Sequence, residues 1–100
     1  QKRYEDFLKL INFVKYIEED SFWSAEIVQI IASEMSSGDI ELELVPRTGR
    51  HTVLFGEISR VEEKLDNLLT FYSKALNRIG WDEFRTISVK YQGQVVCTKF

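Results

Sequence analysis

From Val61 to Ile79 the apolar residues keep to one side of a helix: Val61, Leu65, Leu68, Leu69, Tyr72, Ala75, Leu76 and Ile79. The stripe runs for about five turns. A face of that length must be buried against a second layer, and the neighbouring sequence offers strands to receive it. Ser59, three residues before Glu62, predicts a capping box at the helix start. Lys74 and Arg78 suit the negative end of its dipole.

Ahead of this helix, Ile40-Glu41-Leu42-Glu43-Leu44 alternates strictly, with Ile40, Leu42 and Leu44 on one side and the glutamates towards water. Pro46 ends that strand, having no N–H for the ladder. His51–Phe55 returns after Thr48-Gly49-Arg50, and Gly56 is expected to close it. Ala25–Met35 fits both a buried strand and a short helix; the turn cluster Ser36-Ser37-Gly38-Asp39 tips it to a strand in a hairpin. Beyond the long helix, Thr86–Tyr91 and Gln94–Phe100 read as strands joined tightly through Gln92-Gly93.

At the start, residues 3–19 carry a helical stripe of Tyr4, Phe7, Leu8, Ile11 and Val14, widened by Leu10, Phe13 and Ile17. Trp23, just beyond, is expected in the core. The order predicts one α+β domain over residues 1–100. It has an antiparallel sheet of about five strands, an N-terminal helix, and a long helix inserted before the final hairpin. Missing an initiator Met and ending inside a strand-like run, the sequence is expected to be a piece of a longer protein.

The residues for catalysis are sparse. His51 is the one histidine and Cys97 the one cysteine, so no His- or Cys-based metal cluster is expected. No P-loop or dinucleotide fingerprint occurs. An enzyme is not expected, and neither is a cofactor. A net charge of −3 argues against nucleic acid or an anionic membrane surface as a partner. Arg47, Arg50 and His51 form the single basic turn, which is either a solvated tip or an anion site.

Binding remains, and the final hairpin points to it. A two-residue loop pairs Tyr91 with Gln94, Val89 with Val96 and Ile87 with Thr98. Ile87, Val89 and Val96 then face the helices, while Val95 and Cys97 lie on the outer face. That arrangement leaves an edge strand able to accept a partner's strand, or to self-associate.

Several runs in order resemble the extracytoplasmic β-domain of the bacterial cell division protein family FtsQ/DivIB, from about residue 25 to the end. They are Ile40–Leu44, Gly49-Arg50-His51-Thr52-Val53-Leu54-Phe55-Gly56, Glu63-Lys64-Leu65 through Phe71-Tyr72, Ile87-Ser88-Val89-Lys90-Tyr91 and Gly93-Gln94-Val95-Val96. The resemblance implies a non-enzymatic divisome scaffold, held in the cell inner membrane by an N-terminal anchor outside this sequence, with this domain periplasmic. It implies FtsB-like and FtsL-like partners, bound by strand addition at the last strand. Carried over, Lys90 and Tyr91 match the basic-Tyr pair, and Gln94, Val95, Val96, Cys97 and Thr98 the partner-binding strand. Family members often have Arg before the Tyr and a Trp among small residues in the last strand; this chain has Lys90, Val95, Val96 and Cys97. A POTRA-type envelope assembly module, also a small sheet with two helices, is the alternative.

Overall fold

A computed structural model describes residues 2–100. Helix α1 (Lys2–Glu19) leads through a short α2 (Trp23–Glu26) into strands β1 (Ile27–Glu34), β2 (Ile40–Pro46) and β3 (Thr52–Glu57). Helix α3 (Val61–Phe71), a π-helical turn (Tyr72–Leu76) and α4 (Asn77–Ile79) form the long helical segment, followed by β4 (Phe84–Ser88) and β5 (Val96–Lys99). The five strands make one sheet in the order β1-β2-β3-β4-β5. Five sequential strands exceed the three-stranded pattern of a POTRA unit.

The sheet is mixed rather than purely antiparallel, because β3 and β4 pair in parallel. The long helix is the cause: it carries the chain from one end of β3 back to the other, so β4 must start where β3 started. Leu65, Leu68, Tyr72 and Leu76 from this helix meet Leu42, Leu44, Val53, Phe55 and Ile87 from the sheet in one core.

Helix α1 has more apolar circumference than one interface can use. Phe13 and Ile17 are buried, and Leu10 packs on the core. Tyr4, Phe7 and Leu8, expected as the main stripe, stay 61%, 57% and 41% exposed. Phe13 wins the core position because its ring meets Phe55 at 5.0 Å between centroids. Trp23 is buried as expected, and the Asp20 carboxylate accepts the Phe22 and Trp23 N–H groups, each at 2.8 Å. That bond starts a helical turn, so β1 begins two residues later than Ala25.

Strand β3 does not close at Gly56 but runs through it to Glu57. The register against β2 slips between Leu42 and Glu43, so Phe55 is the extra residue of a bulge and Gly56 sits at φ 79°. The expected capping box at Ser59 is also absent. Arg60 occupies the cap position at φ 48° with no side-chain cap, and instead pairs with Glu63 at 2.6 Å. The cause lies in the preceding turn: Ser59 N–H and Lys64 Nζ both donate to the Glu57 carbonyl, at 3.0 and 2.8 Å. That turn leaves Ser59 one residue short of the helix.

The final hairpin differs most from expectation. Residues 89–95 form its connection, rather than Gln92-Gly93 alone, and the register is Thr86–Thr98, Ile87–Cys97 and Ser88–Val96. Val89 and Lys90 are held from the other side and so cannot join a tight turn. Val89 N–H donates to the Leu54 carbonyl at 3.0 Å, the Lys90 carbonyl accepts from Arg60 at 2.8 Å, and Lys90 Nζ lies 3.5 Å from Glu41. The one-residue shift exchanges the faces of β5. Cys97 and Val95 now pack towards the core, while Val96 points outwards and is 42% exposed.

Candidate functional site

Among the described residues strand β5 is an edge of the sheet, paired with β4 and with nothing beyond it. Its hydrogen-bonding sides follow from β4. Val89 N–H bonds to Leu54 in the parallel ladder, so by alternation Ile87 also turns its backbone groups to β3. Thr86 and Ser88 therefore turn theirs to β5 and bond to Thr98 and Val96. Cys97 and Lys99 are left with N–H and C=O groups directed at the free edge.

Each residue singled out from the sequence has a definite place here. Tyr91 is half exposed in the connection, and Gln94 N–H closes a turn on the Tyr91 carbonyl at 3.4 Å. Gln94 and Val95 thus lie before β5 rather than in it. Thr98 Oγ1 meets Thr86 Oγ1 at 2.6 Å on the outer face. Cys97 is half buried, and burial pushes its thiol above the usual range. Between α3 and this connection runs a groove of about 260 Å³, lined by Phe71, Lys74, Ala75, Gly93, Gln94 and Val95 among others.

Lys90 belongs to a basic cluster that sequence reasoning missed. Lys64 is buried, its ammonium 4.6 Å from the centre of the Phe55 ring and donating to Glu57. Burial, and then Arg60, lower its pKa, against the pull of Glu57, Glu41 and Glu63. Arg60, Lys64 and Lys90 line one cavity with Tyr91, Gly56 and Glu41, at the β2–β3 side of β4. No spacing in the sequence marks this, since the bulge at Gly56 is what lets Lys90 cross β3. A Cβ on Gly56 would lie 2.9 Å from Lys90 Cγ at a positive φ. Gly56→Ala is therefore expected to cost about 1–3 kcal/mol and to break the Lys90–Glu41 contact. Urea melts and the Lys90 side-chain NMR signals check both; a neutral substitution with unshifted Lys90 signals overturns the expectation.

The basic turn is dispersed. Arg47 Nε donates to the Ala25 carbonyl at 2.9 Å, and the Arg50 guanidinium sits 4.3 Å from the centre of the Phe100 ring. His51 is buried, with Nε2 2.7 Å from the Tyr72 hydroxyl and Nδ1 without a partner among the described residues. The tautomer with Nε2–H donating to Tyr72 strands an acceptor rather than a donor, the cheaper choice. Burial pushes His51 down to about 4, partly opposed by Asp82. A neutral, enclosed imidazole offers an anion nothing. Among the described residues, no group of three or more His, Cys, Asp or Glu is placed to hold a metal, and no helix is long and apolar enough to cross a membrane.

No curated protein and no solved structure matches the chain. The family model described as FtsQ/DivIB, C-terminal related, matches residues 1–98. A five-stranded α+β domain matched almost end to end by that model belongs to the FtsQ/DivIB C-terminal related family, whose members are non-enzymatic cell division scaffolds.

Proposed function

We propose that this domain binds FtsB-like and FtsL-like divisome proteins by strand addition along β5, as the periplasmic part of a scaffold anchored in the inner membrane. The observation that carries the reading is the free edge itself, where the backbone groups of Cys97 and Lys99 face outwards. An added strand saturates those groups, and side chains at alternate positions select among partners. Val96 and Thr98 present the outer-face side chains, Cys97 the inner one. Gln94 and Val95 sit where the added chain leaves the strand and meets the groove against α3. Where the partner chain runs on past the end of β5, Tyr91 supplies an exposed ring and Lys90 a cation for an acidic residue, in competition with Glu41 of β2.

Proline scanning separates docking from folding. Cys97→Pro removes an edge-facing N–H and leaves the β4 ladder whole, so the domain is expected to stay folded and lose binding more than tenfold. Val96→Pro removes a ladder bond to Ser88 and is expected to destabilise the hairpin instead. The test is an NMR titration with a peptide from the C-terminal part of the organism's own FtsB-like protein. Amide shifts on Lys90–Thr98 that vanish in folded Cys97→Pro support the reading. Undiminished binding by that variant overturns it.

A further inference from the structure

The sheet has a second edge, and it is the longer one: β1 spans Ile27–Glu34 against Val96–Lys99 for β5. Met35 N–H donates to the Asp39 carbonyl at 2.7 Å, which sets the antiparallel ladder. By alternation Ser33, Ile31 and Gln29 bond to β2, and the backbone groups of Ile30, Ala32 and Glu34 face outwards. Edges of this kind are normally blunted by Lys, Pro or a bulge. The sequence Ile27–Ser33 has no charged residue and no proline, and the register shift between Ile27 and Gln29 disturbs just its beginning.

The surface beside the edge is apolar too. Lys9, Asn12 and Tyr16 of α1 line a cavity with Ile58 and Val61, and so face α3. At 100° per residue, Phe7, Ile11 and Val14 lie on the opposite flank, the β1 side, with Tyr4 next to them. Tyr4 and Phe7 are exposed there, as is Val28 at 50%; Ile31, opposite Glu43, is 37% exposed on the other face of the sheet.

The charges at the two ends of β1 indicate what covers it. Glu34 is exposed at one end. At the other, Arg47 is exposed and held against the end of α2 that leads into β1, its N–H on the Glu26 carbonyl at 2.6 Å and its Nε on the Ala25 carbonyl at 2.9 Å. Among the described residues neither Glu34 nor Arg47 has an ion-pair partner. An antiparallel copy of β1 brings its Glu34 to the Arg47 end, and two-fold symmetry makes that pair twice. We propose that β1 pairs with β1 of a second copy of this chain, forming a continuous sheet across a two-fold axis. Keeping like faces together, Ile31 opposite Ile31 sets Ile30 against Ala32 and Glu34 beside Val28. Both α1 helices then flank the junction on one side and cover Tyr4 and Phe7. This edge is opposite β5, so the dimer and the partner strand do not compete.

Sedimentation equilibrium with charge reversal tests it. Glu34→Lys and Arg47→Glu are each expected to weaken the dimer about tenfold, because each turns two attractions into repulsions. The double variant is expected to recover the original association. Ala32→Pro, which removes an outward N–H without touching the β2 ladder, is expected to abolish it. A chain that stays monomeric at roughly 0.5 mM overturns the proposal. So does a dimer unmoved by both single reversals, or one lost in Cys97→Pro and kept in Ala32→Pro, which places self-association at β5.

Discussion

Phe55→Ala is expected to destabilise the domain by about 3–5 kcal/mol. Phe55 is fully buried, and it stands where three layers meet. Its ring packs on Phe13 of α1, sits under the Lys64 ammonium of α3, and lies at the bulge that shapes the end of β3. Truncation leaves a cavity between the sheet and α1. It also strips Lys64 of the aromatic face that offsets part of its desolvation. A domain of this size has about 5–10 kcal/mol in total, so most of that margin goes. Urea denaturation read by Trp fluorescence gives the value, with Phe55→Leu as a milder step on the same scale. A loss below about 1 kcal/mol for the alanine variant would mean that the site collapses to fill the gap.

The second large effect is acid sensitivity from His51. Its folded pKa of about 4 lies below the usual 6.5 because burial excludes the charged form. Between those values the unfolded chain binds a proton that the folded chain refuses, so protons favour unfolding. The contribution is full above pH 6.5 and is lost as the pH falls towards 4. From pH 7.5 to 4.5 it amounts to about 2–3 kcal/mol. His51→Gln keeps a donor for Tyr72 and cannot titrate, so its stability is expected to fall by that much less over the same interval. Parallel urea titrations of both proteins check this. Equal losses in the two would assign the acid sensitivity to carboxylates.

Much of the fold was legible because periodicity reports a face directly. The alternation at Ile40–Leu44 and the stripe from Leu65 to Leu76 each admit one buried side, and the core uses those sides. Helix α1 shows the limit. With Tyr4, Phe7, Leu8, Leu10, Ile11, Phe13, Val14 and Ile17 spread round it, the pattern offers several faces. The choice fell to Phe55, which is far along the chain from Phe13. The same holds for the candidate site: the edge position of the last strand could be read, but its register could not. Gln92-Gly93 is good turn sequence, yet Leu54, Glu41 and Arg60 pull residues 89–90 towards β3 and lengthen the connection.

By itself the sequence determined an α+β domain with its strands and helices in this order, a buried Trp23, and runs that resemble the FtsQ/DivIB family. Those properties rest on local spacing and composition, which act within a few residues. The tertiary structure alone decided the parallel β3–β4 pair, the bulge at Gly56, the outward turn of Val96 and the gathering of Arg60, Lys64 and Lys90. Each of these depends on contacts between residues far apart in the chain. Their energies become available only once the helix has crossed the sheet.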